Sequence, residues 1–403
     1  MNSPKRTVDL RRLNRQTLLK QVYFAGPISR IELSQRTGLS TATITNLATE
    51  LLDEAIVQES GSQESEGGRP ATLLRLNPEY GYMVGVDLGE THIQLELFDL
   101  AFKNIHTTRY LLSPEQNTPE NFVSFIVSGI EQLIAQSGIL PEKLLGVGIG
   151  VPGVVERNSS VCVLAPLWNW KPIPLLDMLE ARIPFPIFLD NGAKAMTLAE
   201  SWFGAGKNKQ DLAVILIGTG IGAGIITEGK LYRGITNAAG EWGHTKITLD
   251  GRPCRCGSHG CVEAYAGAEG VIQTAYELSP DSTFLQFDNQ LAFINALVTA
   301  AEQDDPVALE TIRITAQYLG LGIANLINLF NPEMILLGGW VGTQIGKPML
   351  TVLTQYIETY ALPPAFRSLK IDVCQLGEDA VCIGAACLVL DEVLFLNYEP
   401  KTS

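Results

Sequence analysis

The sequence lacks an uninterrupted apolar run of the length that a membrane-spanning helix requires, about 20 residues. It also lacks an apolar segment near its start, since residues 1–15 are polar and basic. Cysteine is scarce and odd in number, seven in 403 residues, and three of the seven fall within residues 254–261. These absences argue against a membrane protein and a disulfide framework, and they predict a protein of the reducing cytoplasm.

The charge is distributed unevenly along the chain. The net charge is −14, yet residues 1–36 hold eight basic and two acidic residues, a charge of +6, so the remainder carries −20. A basic head on an acidic body predicts that only the head approaches a polyanion, although a merely solvated basic face would give the same count. A length of 403 residues and a hydrophobic content of 46% predict two or three domains with a sizeable core.

The basic head has the pattern of a helix-turn-helix. We predict helices over residues 13–24, 31–37 and 41–54, because apolar residues recur at helical spacing in each. Ser29 and Glu32 form a predicted capping box, and Gly38 ends the second helix. Small polar residues at the start of the third helix would let it enter a major groove.

Two predicted strands follow the helices, over residues 56–58 and 73–76, around a Gly/Ser/Glu-rich tip. Together they predict a winged helix-turn-helix, in which the arginine of Gly67-Gly68-Arg69-Pro70 enters a minor groove. A flexible hairpin with a solvated arginine is the alternative. The predicted DNA-contacting residues of the head are Arg11, Arg15, Ser40, Thr41, Thr43, Thr45, Asn46 and Arg69.

A cysteine cluster in residues 239–263 predicts a metal site. His244, Cys254, Cys256 and Cys261 make a set of three sulfurs and one nitrogen at tight spacing, which suits tetrahedral Zn²⁺. Glutamates 241 and 263 flank the set. Three buried free thiols are the alternative.

The acidic body contains two similar strand–turn–strand units, at residues 84–98 and 214–226. Each has a polar or glycine-rich turn in which backbone N–H groups could approach a phosphate or a sugar. One such unit is usually a plain hairpin, but two of them about 130 residues apart predict two related α/β lobes with a cleft between them.

The chain as a whole resembles the ROK family, named for repressor, open reading frame and kinase. The resemblance runs from about residue 10 to residue 390. It rests on Arg11-x2-Asn14-Arg15, Ser29-Arg30-x-Glu32-Leu33, Gly67-Gly68-Arg69-Pro70, Gly218-Thr219-Gly220-Ile221-Gly222-Ala223-Gly224, Ala239-Gly240-Glu241-x-Gly243-His244 and the cysteine cluster. It implies an α/β fold of two actin/hexokinase-like (RNase H-like) lobes with an interlobe cleft, preceded by the winged helix-turn-helix of the regulator branch. The implied domains are residues 1–77, 78–195 and 196–403, with the C-terminal helix packed back on the first lobe.

The resemblance also implies a sugar site. In the family's kinases the matching positions hold a sugar, and here they are Asn191, Glu241, His244 and Glu263. Carboxylates and amides bond vicinal hydroxyls, so the chemistry is suitable. His244 would then serve both the structural zinc and the sugar. The alternative is that Glu241 and Glu263 only order the metal ligands.

Four positions depart from the kinase pattern. Gly192 stands where the kinases have the aspartate that acts as general base, and Glu90 replaces a glycine of the first phosphate turn, where a carboxylate would repel ATP. Leu167 stands where many kinases carry a sugar-binding asparagine, and His92 follows the turn in place of lysine or asparagine. These departures predict that the protein is not an enzyme.

The sequence therefore predicts a cytoplasmic, sugar-responsive transcriptional regulator, most simply a repressor. Its expected partners are operator DNA, a small sugar and a second copy of itself, as a homodimer or homotetramer, since one winged head reads few base pairs. Two alternatives stay open. One is an ATP-dependent sugar kinase with an added DNA-binding head, and the other is a regulator controlled by a protein partner.

Overall fold

The structure is a computed structural model that describes residues 4–63, 70–156, 162–165, 168 and 170–396. The predicted wing residues Gly67, Gly68 and Arg69 and the departure at Leu167 lie outside this part of the chain. None of the helices formed by the described residues has the length and apolar character that a bilayer crossing requires.

The N-terminal unit, which we call the head, contains three helices and a small antiparallel sheet. Its elements in chain order are α1 (Pro4–Ala25), β1 (Ile28–Ser29), α2 (Arg30–Thr37), α3 (Thr41–Asp53), β2 (Val57–Gln63) and β3 (Ala71–Leu76). The strand order is β1-β3-β2, with antiparallel pairing throughout. The head therefore has the predicted sequence of three helices followed by a strand pair.

Local signals set the helix ends of the head. The Ser29 side chain accepts a hydrogen bond from the Glu32 N–H while the Glu32 carboxylate accepts from the Ser29 N–H, so the predicted capping box is confirmed. Gly38 ends α2 at φ 72°, a left-handed conformation that costs glycine little. Ser40 accepts from the Thr43 N–H and caps α3.

The structure of the head differs from the prediction in one helix boundary and in one additional strand. Helix α1 begins at Pro4 rather than at residue 13, because proline is favoured in the first turn and no breaker interrupts the polar stretch that follows. The two-residue strand β1 was missed, since a strand of that length forms only by pairing with β3.

The first lobe, as we use the term, is built on the sheet β11-β7-β4-β5-β6. Its elements are β4 (Tyr82–Leu88), β5 (His92–Asp99), β6 (Asn104–Leu111), α4 (Pro119–Ser137), β7 (Leu144–Val151), β8 (Val154–Glu156), β9 (Cys162–Ala165), β10 (Trp170–Ile173), α5 (Leu175–Glu180), β11 (Ile187–Asn191) and α6 (Gly192–Trp202). Strands β4 and β5 form the first predicted strand–turn–strand unit. Strands β4, β7 and β11 run parallel, so the sheet is mixed.

The second lobe is built on the sheet β14-β13-β12-β15-β16, which is also mixed. Its elements are β12 (Leu212–Ile217), β13 (Ile221–Thr227), β14 (Lys230–Leu231), α7 (Glu263–Ala266), α8 (Ala268–Leu278), α9 (Gln290–Glu302), α10 (Pro306–Phe330), β15 (Met334–Gly338), α11 (Gly339–Tyr360), α12 (Pro363–Phe366) and β16 (Lys370–Val373). Strands β12 and β13 are the second predicted unit. The described part of the chain ends with α13 (Ala380–Leu390) and a π-helical turn, Asp391–Phe395.

Helix α13 packs on the first lobe, against α6, β4 and β7. Glycine makes this close approach possible, since a Cβ on Gly85 would lie 1.9 Å from the Cys382 carbonyl oxygen and one on Gly148 would lie 1.8 Å from that of Ala385. The same helix joins a buried apolar cluster shared with the head and the sheet, which includes Leu18, Leu19, Val22, Leu74, Met83, Phe98, Cys382 and Ala386. The head and the first lobe thus have one continuous core.

Candidate metal and ligand site

The four predicted metal ligands come together in the second lobe. The ligand atoms of His244, Cys254, Cys256 and Cys261 all lie within 4.8 Å of one another. The sulfurs of Cys256 and Cys261 are 3.8 Å apart, and the Cys254 sulfur is 3.6 Å from His244 Nδ1. Tetrahedral zinc with bonds of about 2.3 Å to sulfur and 2.0 Å to nitrogen requires separations of about 3.8 Å between two sulfurs and about 3.5 Å between sulfur and nitrogen. The cluster could therefore hold a metal ion.

Backbone turns hold the cysteine loop in this shape. The Cys254 N–H donates to the Ser258 carbonyl at 2.7 Å, and the Gly257 N–H donates back to Cys254. Gly257 has a φ of 85°, which a glycine adopts without strain. Burial raises the pKa of the Cys254 thiol, so binding a cation is the event that would favour its thiolate. Lys246 Nζ lies 2.8 Å from the Cys261 sulfur and adds positive charge beside the thiols.

Two of the predicted sugar ligands adjoin the metal cluster. His244 Nε2 lies 4.0 Å from a carboxylate oxygen of Glu241. Burial raises the pKa of Glu241, although His244 and Lys194 oppose the shift. Glu263 is buried, and its Oε2 accepts a hydrogen bond from the Ile221 N–H at 2.9 Å while its Oε1 lies 3.6 Å from the Cys254 sulfur. Glu263 thus contacts both the metal loop and the glycine turn before β13.

Asn191 lies at the C-terminal end of β11, where its side chain caps α6. Its Oδ1 accepts from the Ala193 N–H at 2.9 Å, and its Nδ2 donates to the Gly153 carbonyl at 2.8 Å. The residue after it, Gly192, has open space on its Cβ side, since the nearest atoms to a Cβ there would be 3.8 Å away. A side chain would therefore fit at Gly192, and steric crowding does not explain the glycine.

Asp190, two residues before Gly192, is held by hydrogen bonds from two side chains. Its side chain is fully buried, and Arg233 donates to one oxygen at 3.1 Å while Asn237 donates to the other at 3.0 Å. Sequence reasoning missed the neighbouring Lys194, which is 1% exposed and donates to the backbone carbonyl and the side chain of Asn237. A single lysine inside the apolar run Ala193-Lys194-Ala195-Met196 was the available signal.

An ion pair that sequence reasoning did not foresee crosses between the two lobes. Glu90, in the turn between β4 and β5, lies 3.2 Å from Arg255, which stands between two of the cysteines. Arg255 also donates to the Thr219 carbonyl at 2.8 Å, so it contacts both turns. Burial raises the pKa of Glu90, and the side chains of Thr219 and Arg255 partly oppose this. Arg255 therefore links the two turns, through the Glu90 carboxylate of the first and the Thr219 carbonyl of the second.

Some of the predicted DNA-contacting side chains of the head are exposed, and others are already bonded within the protein. Thr41, Thr45 and Asn46 are exposed along α3, whereas Ser40 and Thr43 share a hydrogen bond of 2.8 Å in the helix cap. Arg11 and Arg15, both on α1, are paired with acidic residues toward the other end of α3. Arg11 contacts Glu50, and Arg15 contacts both carboxylate oxygens of Glu54 at 2.9 and 2.6 Å.

The two mixed sheets make this an α/β protein, and its fold is similar to the folds of solved transcriptional regulators and sugar kinases. The chain belongs to the ROK family, whose family model matches residues 83–392.

Similarity to repressors extends over the whole chain. A xylose repressor from Caldicellulosiruptor bescii is 32% identical over 389 residues, which cover 96% of this chain and 97% of that protein. The crystal structure of a ROK family transcriptional regulator, a homolog of the Escherichia coli MLC protein, superposes with a TM-score of 0.82 at 28% identity and covers 96% of this chain and 97% of its own. A glucokinase from Halalkalibacterium halodurans is also 32% identical, but the match covers only 76% of this chain and 94% of the enzyme.

Proposed function

We propose that this protein is a sugar-responsive, DNA-binding transcriptional repressor of carbohydrate genes. The proposal rests on how much of this chain each relative matches. The xylose repressor matches 96% of the chain, whereas the glucokinase match of equal identity covers 76%. The difference corresponds to the length of the basic head. In this proposal residues 1–77 are a winged helix-turn-helix domain and residues 78–195 and 196–403 are the two lobes.

The head is the proposed DNA-reading unit. Exposed small polar residues at the start of α3, Thr41, Thr45 and Asn46, are suited to contacts in a major groove, and Arg69 is proposed to enter the minor groove. Arg11 and Arg15 would have to exchange Glu50 and Glu54 for DNA phosphates. The head would act in a homodimer or homotetramer on a two-fold operator.

The cleft is the proposed effector site. Glu241, His244 and Glu263 converge within the second lobe, and Asn191 approaches from the first, where its side chain already binds backbone. A sugar such as a pentose or hexose would be held through its hydroxyl groups. Zn²⁺ on the Cys3His cluster would be structural, since it fixes the loop that carries His244 and Glu263.

Kinase chemistry is proposed to be lost. Gly192 offers no proton acceptor, Asp190 is held by Arg233 and Asn237, and Glu90 places a carboxylate in the first phosphate turn. Incubation with ATP and a panel of hexoses and pentoses should give no turnover. Turnover that disappears in Glu241→Ala would contradict this part of the proposal.

The DNA-binding role is tested by a mobility shift with the DNA upstream of the protein's own gene. Asn46→Ala should weaken binding about tenfold or more, since a bidentate base contact contributes about 1–3 kcal/mol of discrimination. Thr49→Ala is the matched control, because it changes another exposed polar residue of α3 one turn further along. Equal affinity of Asn46→Ala, Arg69→Ala and the unaltered protein would show that the reading surface is elsewhere.

A further inference from the structure

The ion pair between Glu90 and Arg255 fills the space where the two glycine-type turns face each other. The carboxylate comes from the first lobe, and its partner Arg255, which also donates to the Thr219 carbonyl, belongs to the second. Turns of this kind present backbone N–H groups and favour an anion. Here the anion beside the second turn is a side chain of the protein itself.

The surroundings of Arg255 carry more negative than positive charge. Besides Glu90, the guanidinium lies 3.8 Å from Glu263 and 3.9 Å from Glu269, so three carboxylates face one cation. The side chains of Glu90 and Glu263 are only 21% and 10% exposed. Charges in such positions are screened less by water and salt than charges on the surface, so a further anion is disfavoured.

This acidic arrangement borders the hydroxyl-binding groups directly. Glu263 belongs both to the carboxylates around Arg255 and to the proposed sugar ligands. Its Oε1 lies near Arg255 and near the Cys254 sulfur, and its Oε2 accepts a hydrogen bond from the Ile221 N–H. A sugar held by Glu241, His244 and Glu263 would therefore have the Glu90 carboxylate close to any phosphate that it carried toward the turns.

We propose that Glu90 is a specificity-determining residue that limits the effector to an uncharged sugar. The carboxylate is a tethered anion: it occupies the Arg255 guanidinium, which a phosphate would otherwise bind, and it repels sugar phosphates and nucleotides. The inference rests on the proposed function for the sugar class, and it adds that the free sugar, rather than a phosphorylated derivative, is the ligand.

The experiment measures binding by titration calorimetry for D-xylose, D-glucose, xylose 5-phosphate and glucose 6-phosphate. The unaltered protein should bind a free sugar and bind its phosphate at least about tenfold more weakly, and Glu90→Gln should reduce that ratio about tenfold. Glu269→Gln is the matched control. It removes the same charge beside the same guanidinium, but from a side chain that is 58% exposed, so its ratio should stay within about twofold of the unaltered protein.

Pyrophosphate serves as a second probe that does not depend on any sugar. Glu90→Gln should bind it several-fold more tightly than the unaltered protein does. Equal binding of a sugar and its phosphate by the unaltered protein, or an unchanged ratio and unchanged pyrophosphate affinity in Glu90→Gln, would overturn the role of Glu90 and leave a sugar-responsive regulator intact. Absence of sugar binding together with gain of pyrophosphate binding would instead support Glu90 and refute the sugar effector.

Discussion

His244 lies between the cysteine cluster and the Glu241 carboxylate. Its Nδ1 faces the Cys254 sulfur and its Nε2 faces Glu241, so a metal on one nitrogen fixes the ring plane and the tautomer presented to the cleft. If the metal loop loses its order, the His244 imidazole can no longer hold one orientation. Binding of the proposed sugar should then weaken.

Cys256→Ser tests this coupling. The hydroxyl is a poor replacement for a thiolate, so we expect zinc retention to fall and the sugar response of DNA binding to weaken with it. Zinc content by mass spectrometry of metals and operator release by added sugar are the two measurements. Loss of zinc with an intact sugar response would show that the metal only stabilises the fold.

A second residue-scale prediction concerns stability. Burial raises the pKa of Glu96 to about 8, against the opposing hydrogen bonds from Gln94 and Asn104. Between about pH 4.5 and pH 8 the folded state therefore holds a proton that the unfolded state has lost, so this carboxyl contributes stability at acid pH that disappears as the pH rises through its folded pKa.

The side chain introduced by Glu96→Gln cannot titrate. The unfolding temperature of this variant minus that of the unaltered protein should therefore increase between about pH 5 and about pH 8. Thermal unfolding at a series of pH values measures it. The exposed Glu180→Gln serves as control and should show no such trend. A constant difference between Glu96→Gln and the unaltered protein across this range would show that Glu96 is charged in the folded state.

At the scale of elements, α6 connects the cleft with the head. It begins at Gly192, beside the predicted sugar ligand Asn191, and its eleven residues span about 16 Å to Trp202. There the Trp202 ring lies 6.2 Å from that of Tyr23 and 5.2 Å from that of Phe24, both at the end of α1. We predict that a shift of the cleft end of α6 reaches the head through these ring contacts.

Trp202→Leu should weaken this connection. We expect sugar binding to remain while the sugar-induced loss of operator affinity decreases, because the smaller side chain leaves α1 and α6 less tightly packed. Calorimetry and fluorescence anisotropy give the two quantities. Trp170→Leu alters a buried tryptophan of the first lobe away from this contact. If both variants lose the same share of the sugar-induced change in operator affinity, the loss comes from general destabilisation and not from the contact between α6 and α1.

Elements set by local signals were predictable from the sequence, and contacts between distant segments were not. The capping box at Ser29 and the stop at Gly38 depend on neighbouring residues, and both are confirmed. The metal cluster was predictable because three of its ligands lie within eight residues. The pair Glu90–Arg255 joins residues 165 positions apart, so only the folded chain brings it together. Lys194 was overlooked because its partner Asn237 comes from a different lobe.

At the scale of the whole molecule, the basic head and the acidic body predict two different responses to salt. Operator affinity should fall by orders of magnitude between about 50 and 200 mM salt, since phosphate contacts release counterions. Affinity for an uncharged sugar should stay within about twofold. Anisotropy and calorimetry at matched salt concentrations test this, and a parallel loss of both would indicate that the effector is charged.

The buried cluster shared by α1, the first sheet and α13 also determines how the molecule opens. Because Leu18 and Val22 are packed in the same cluster as Cys382 and Ala386, the head cannot detach without exposing apolar surface of the body. Amide hydrogens in the second half of α1 should therefore exchange with solvent deuterium as slowly as those of α13, and with the same dependence on denaturant. Faster exchange in α1 would show that the head opens on its own.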